Sequence, residues 1–314
     1  MNNENFWFRT LFKVKIYETS SEHFQRLFQD VMSYRYPSFQ SVAPYGNQGD
    51  GGNDGWMPNE GYYFQVYGKK ASSKINLSSV LKKAVTDFNE LRNNYGDIKQ
   101  YHFVYNDRFE GTPAPIGKAL LELKKKYNLE EASAWNSAKL ERVFMELDYD
   151  QKESILYSIP AELPDFIDPR AIAEILKHLA NKAIHRVDTN LIAPDFDTKI
   201  RINGLTSPVP DFLRCYSYQQ GEIDDFLHKR DPALKQIVAE EMRGFYQNSK
   251  IEIPDSIENG ANLRYVWIME QLIPEICKKN PHSFKAYREA AQVILAKYFE
   301  ACDIYESPNT IITS

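Results

Sequence analysis

A chain of 314 residues with 43% hydrophobic and 26% charged residues has material for two ordinary domains or one large one, and this composition excludes a disordered or fibrous class. No run of 18 apolar residues occurs and the start, MNNENFWFRT, lacks the basic and apolar regions of a secretory signal, so no membrane span is expected and the expected location is cytoplasmic. The formal net charge of -5 argues against a whole-surface nucleic-acid binder, and the widely spaced Cys215, Cys277 and Cys302 exclude a disulfide framework and a CxxC zinc knuckle, leaving them as expected buried thiols.

Taken in chain order, residues 11–17 read as a short strand, and a helix follows from Ser20 or Ser21, with Phe24, Leu27, Phe28, Val31 and Met32 on one stripe. Residues 39–42 suggest a strand, and the run 46–55, rich in Gly, Asn and Asp, reads as a tight connection. Residues 62–67 form an aromatic, β-branched strand. A helix is expected over 77–95, with Val80, Leu81, Val85, Phe88 and Leu91 as its apolar face, then a strand over 101–105 and helices over 116–127 and 138–147. Alternating helices and strands make the first part α/β. Residues 159–165 read as a linker. Beyond them the periodic stretches are helical: Asp168-Pro169 launches a helix to 183, and others are expected over 210–228, 232–246, 262–278 and 283–302.

Splitting the charge sharpens the picture. Lys+Arg against Asp+Glu gives 19 and 19 for residues 1–150 but 19 and 24 for residues 151–314, so the acidic surplus lies wholly in the helical part. The expected domains are 1–153 and 154–314.

One constellation carries chemistry: Gly49-Asp50-Gly51-Gly52-Asn53-Asp54-Gly55-Trp56, then the strand Tyr62-Tyr63-Phe64-Gln65-Val66-Tyr67-Gly68-Lys69-Lys70. An EF-hand starting at Asp50 fails at Gly52 and Gly61, which would be ligands. A P-loop fails because Lys70, not Ser or Thr, follows Gly68-Lys69. A dinucleotide fingerprint would open a helix, and this run precedes a strand. The histidines show no HxxxH or HExxH spacing and no GxSxG elbow exists. What remains is a carboxylate at a tight turn followed by a strand presenting an amide and lysines, a set suited to metal-assisted phosphodiester cleavage.

These residues resemble the PD-(D/E)XK restriction-endonuclease-like superfamily, in the branch with GDGGxDG followed by a strand bearing QxK. The resemblance covers about residues 20–110. It implies a mixed sheet flanked by helices, Mg²⁺ (or Mn²⁺) as cofactor, Asp54 and Gln65 as metal-placing catalytic residues, Asp50 as a further metal ligand, and DNA as substrate. Two positions depart from the pattern: Tyr67 stands where the family has its lysine, and Gln25 stands on the helix where a glutamate is usual. Lys69 shares the strand face of Gln65 and is the expected replacement, unless a bulge at Gly68 brings Lys70 round instead. Asn106-Asp107, after the strand 101–105, either edges this site or forms a turn, and Lys124-Lys125-Lys126 reads as a solvated helix end.

In the second part, Phe196-Asp197-Thr198-Lys199-Ile200-Arg201-Ile202-Asn203-Gly204-Leu205, with Ile223-Asp224-Asp225-Phe226-Leu227 and Arg243-Gly244-Phe245-Tyr246, is similar to the C-terminal helical domains of bacterial ABC-three component systems. That resemblance implies a role in defence against phage or plasmids, with an ATPase or helicase subunit as partner. Two functions follow: a Mg²⁺-dependent DNA endonuclease, or a catalytically degenerate nuclease-fold subunit that binds nucleic acid or a partner. A neutral nuclease half would gain cations from a second copy or from that partner.

Overall fold

The computed structural model describes residues 3–19, 21–43, 51–68, 77–95, 97–162, 164, 167–182, 196–228, 233–279 and 281–307. The chain divides into two compact units, one of Lys15–Ile155 and one of Met1–Val14 with Leu156–Ser314.

The first unit holds a mixed five-stranded sheet in the order β1-β2-β3-β4-β5, with β1 Gln40–Ser41, β2 Gly55–Met57, β3 Tyr62–Tyr67, β4 Gln100–Tyr105 and β5 Glu131–Trp135. The first two pairings are antiparallel, and β3, β4 and β5 run parallel, so the carboxyl ends of three strands share one edge. Helices α3 (Leu77–Tyr95) and α4 (Ala114–Tyr127) cover one face, packing Val80, Ala84, Phe88, Leu91, Ile116 and Leu120 on Tyr63, Tyr101, Phe103 and Tyr105. On the other face Phe28 of α2 (Ser21–Arg35) meets Phe64 at 5.5 Å and Trp135 at 6.5 Å, and α5 (Ser137–Met145) packs beside α2. The five apolar residues expected on α2 are all buried. On α3, Ala84 takes the inward position, and Val85, expected inside, is 36% exposed.

Several differences from the sequence reading have physical causes. Residues 11–17 are not a strand: they belong to helix α1 (Asn3–Glu18), where Phe6, Trp7, Phe8, Leu11, Phe12, Val14, Ile16 and Tyr17 are all buried. A helix whose buried residues run round most of its circumference has no narrow 3.6-residue stripe to read, and its β-branched and aromatic residues imitate a strand. Strand β5, Glu-Ala-Ser-Ala-Trp, escapes notice because its residues have little β propensity and its register with β4 forms it. Strand β2 hides directly behind the glycine-rich turn, and α6 (Tyr149–Leu156) was also not anticipated.

The second unit is all helical, with α7 (Pro169–Lys182), α8 (Phe196–Ile202), α9 (Val209–Ser217), α10 (Gly221–His228), α11 (Ala233–Glu252), α12 (Gly260–Leu272) and α13 (Pro281–Glu300). The cap expected at Asp168 is present, its Oδ1 accepting from Arg170 N at 2.9 Å. The single helix expected over 210–228 is broken into α9 and α10. That over 262–278 stops at Leu272, because Ile273 precedes Pro274 and is extended (ψ 121). α13 packs against α7, α9 and α12. All three cysteines are free; Cys302 is buried as expected, whereas Cys215 and Cys277 are only partly so. No helix among the described residues is long and apolar enough to cross a membrane.

Candidate functional site

The glycine-rich turn delivers Asp54 to the carboxyl end of β3. Gly52 has φ +77 and lies so close to α3 that a Cβ would collide with the Asp87 carbonyl, which fixes both the residue and the path of the turn. Asn53 Oδ1 then accepts from Gly55 N at 3.1 Å, a local Asx bond that points the chain into β2. Asp54 N donates to Phe64 O at 3.0 Å although the ladder partner of Phe64 is Gly55, so the pairing steps by one residue at Asp54.

That step turns the Asp54 side chain along the strand end. Its Oδ2 accepts from Val66 N at 2.7 Å and its Oδ1 from Gln25 Nε2 at 2.6 Å, while Gln29 Nε2, one turn later on α2, donates to the Asp54 carbonyl at 2.9 Å. The carboxylate is 3% exposed and is therefore held in orientation by named N–H donors. Gln65 is 2% exposed, and its Oε1 has no hydrogen-bond partner among the described residues. Leaving such an acceptor unpaired costs about 1–3 kcal/mol, so the position is a reservoir that a ligand can relieve.

Tyr67, at the position of the resembled family's lysine, stacks on Phe103 (6.2 Å, 27°) and Tyr105 (6.1 Å, 25°). The register with β4 runs unbroken to Tyr67↔Tyr105, and Gly68 lies beyond the strand, where a Cβ would meet the backbone of Ser21 at the start of α2. The glycine thus serves a close approach and is not a bulge within the ladder. Asp50, Lys69 and Lys70 lie outside the described residues.

Asp54 offers a carboxylate whose oxygens accept from Val66 N and Gln25 Nε2, and Gln65 on β3 offers an amide oxygen with no hydrogen-bond partner among the described residues. No group of three His, Cys, Asp or Glu residues placed to hold a metal occurs among the described residues. One carboxylate and one amide oxygen fit Mg²⁺, which keeps several waters and takes further oxygens from phosphate, better than they fit an ion needing a full protein cage.

Asn106 and Asp107 resolve into structural roles. Asn106 Nδ2 donates to Ile16 O (3.0 Å) and Thr19 O (3.3 Å), and Asp107 accepts from Ser137 N (2.8 Å) and Gly111 N (2.9 Å), so the loop after β4 is tied to the ends of α1 and α5. His102 is also structural: its ring nitrogens lie 3.0 Å from Ser133 Oγ and 3.1 Å from Gln100 Oε1, and burial lowers its pKa to about 4. The group at Asp54 that sequence reasoning missed is Gln29. Only the i, i+4 pair Gln25/Gln29 carried a readable signal, two amides on one face of a helix whose other face is apolar.

Residues 170–306, which contain nearly all of α7 and everything through α13, match the family model for C-terminal domain 10 of the ABC-three component (ABC-3C) systems. This supports the resemblance drawn for the helical part and leaves residues 1–169 outside the match. No curated protein and no solved structure matches the chain significantly.

Proposed function

We propose that this chain is a subunit of a bacterial ABC-three component defence system whose sheet unit cleaves DNA with the aid of Mg²⁺ or Mn²⁺, and whose helical domain docks it on other subunits of the system, an ATPase or helicase among them. The observation that carries the nuclease part is the buried, unpartnered Gln65 Oε1 one residue from Val66, whose N–H holds Asp54. When bound, the ion would polarise the phosphoryl oxygen and activate a water. Asp54 and Gln65 hold it. Val66 N–H and Gln25 Nε2 keep the Asp54 carboxylate from rotating, so its geometry is set before substrate arrives. Lys69 or Lys70 orients the water or offsets phosphate charge. The helical part, with 24 acidic against 19 basic residues in 151–314, suits protein partners better than DNA.

A second reading has its own support. Gln25 presents an N–H at 2.6 Å where the resembled family offers a carboxylate, and Tyr67 replaces an ammonium with a stacked ring. On that reading the sheet unit binds nucleic acid or a partner without cutting. Incubating plasmid with the purified protein and Mg²⁺, beside Asp54→Asn, separates them. The asparagine keeps an acceptor for Val66 N–H while removing the charge. Cleavage lost in the variant supports the nuclease; a wild type that stays inactive even with the system's other subunits leaves the binding module.

A further inference from the structure

A cavity of about 210 Å³ opens within the helical unit, lined from the start of α10, from α11 and from the end of α13. It is smaller than the roughly 300–1,000 Å³ of drug-sized pockets and larger than the roughly 150 Å³ that admits benzene, so its size suits a small molecule. Its lining residues all fall within 170–306, the stretch that matches the family model.

Two groups in this wall have unmet chemistry. Tyr298 of α13 is 1% exposed, and its hydroxyl has no hydrogen-bond partner among the described residues. A buried hydroxyl left unpaired costs stability, which a ligand in the cavity can recover. Lys235 of α11 is exposed and makes no hydrogen bond or ion pair with another described residue, though its charge is felt at Asp303 on the same wall. Asp303 is 8% exposed, and burial raises its pKa although Arg243 lies 2.6 Å from its Oδ1. One guanidinium therefore does not offset the loss of water around that carboxylate.

The other charges are already matched, Lys297 with Asp224 at 2.5 Å and Glu300 with Gln220 at 2.8 Å. Ala239 and Ala301 add apolar surface. Among the described residues the charged lining is thus two cations, Lys235 and Lys297, and two anions, Glu300 and Asp303. A purely anionic ligand would meet both carboxylates and a purely cationic one both lysines. A ligand with one charge of each sign complements both the unmatched ammonium and the under-compensated carboxylate.

We propose that this cavity binds a small zwitterion, an α-amino acid with an apolar side chain, whose carboxylate meets Lys235, whose ammonium meets Asp303 and the Tyr298 oxygen, and whose side chain lies on Ala239 and Ala301. The site belongs to the helical unit alone and is independent of the nuclease reading.

The test follows the melting temperature of the full chain at neutral pH with glycine, L-alanine, L-valine, L-leucine and L-methionine, then titrates leucine calorimetrically. Isocaproate and isoamylamine, which are leucine without its ammonium and without its carboxylate, serve as single-charge probes. Leucine should raise the melting temperature more than glycine does, and each single-charge probe should bind about tenfold more weakly than leucine. Lys235→Gln should weaken leucine about tenfold and leave the unliganded melt unchanged, because the side chain is exposed and unpaired. Tyr298→Phe should weaken it about fivefold yet melt no lower than the parent without ligand, since it loses only a hydroxyl that had no partner. A merely structural tyrosine would leave leucine affinity unmoved. A parent that responds to none of these amino acids overturns the site, as does a leucine affinity that both variants keep. Isocaproate or isoamylamine binding as tightly as leucine would also overturn it, by showing that one charge suffices. Leucine binding with these losses in a chain that never cleaves DNA would keep the site and remove the nuclease.

Discussion

In the helical unit buried cations are tied to carboxylates and carbonyls, whereas in the sheet unit buried carboxylates are tied to N–H groups. Arg288, 2% exposed, holds Glu270 at 2.8 Å and the carbonyls of Leu156 and Ser158; Arg264 holds Ile253 O and Asp255; Lys199 reaches Phe299 O. In the sheet unit Asp54 accepts from Val66 N and Gln25 Nε2, and Asp107 from Ser137 N and Gly111 N. The helical unit spends its cations on its own architecture. The sheet unit fixes its anions by backbone and amide N–H groups, and it leaves Gln65 Oε1, Tyr17 OH, Tyr105 OH, Asn53 Nδ2, Glu60 Oε2 and Trp135 Nε1 without a hydrogen-bond partner among the described residues. In the helical unit Trp7 Nε1, Gln219 Oε1 and Tyr298 OH lack a hydrogen-bond partner among the described residues, on α1, the turn after α9, and α13.

The largest effect expected from breaking this contrast is in the helical unit. Arg288→Met should cost about 3–5 kcal/mol, because Glu270 is left buried without its partner. Denaturant unfolding of the full chain reads it, and pairing it with Glu270→Met should recover much of the loss. An unchanged midpoint in the single variant would mean that the ion pair does not hold the unit.

Next in size is a pH effect in the sheet unit. His102 titrates at about 4 when folded against 6.5 ordinarily, so the unfolded chain takes up a proton first as pH falls. Its contribution is present above pH 6.5 and is lost between there and pH 4, on the order of 3 kcal/mol. His102→Gln should flatten that part of the stability profile; an identical slope in the variant contradicts the assignment.

The sequence made much of this contrast readable, and particular residues show where it stopped. The stripe Phe24-Leu27-Phe28-Val31-Met32, the β3 strand 62–67 and the helix 77–95 were legible because one face is buried and the period is regular. Asp54 and Gln65 were legible as a motif. The loop after β4 was not, since no local propensity announces its left-handed Arg108 and Phe109. The step in pairing that turns Asp54 toward Gln25 depends on β2, a strand of three residues too short to read.

A smaller effect sharpens the anion half of the comparison. Asp54→Ala should lose about 1–3 kcal/mol by unpairing Val66 N–H and the Gln25 amide, while Asp54→Asn, which keeps an acceptor, should lose less. Thermal melts of the two variants side by side test this; equal losses would show that the hydrogen bond to Val66 contributes nothing.

The most direct test of the central claim, that Asp54 and Gln65 form a divalent-cation site, is calorimetric titration of Mn²⁺ or Mg²⁺ into the wild type, Asp54→Asn and Gln65→Leu. The account predicts one saturable site in the wild type, weakened in both variants, with Gln65→Leu melting no lower than wild type because its lost oxygen had no partner. Metal binding that is unchanged in both variants would contradict it.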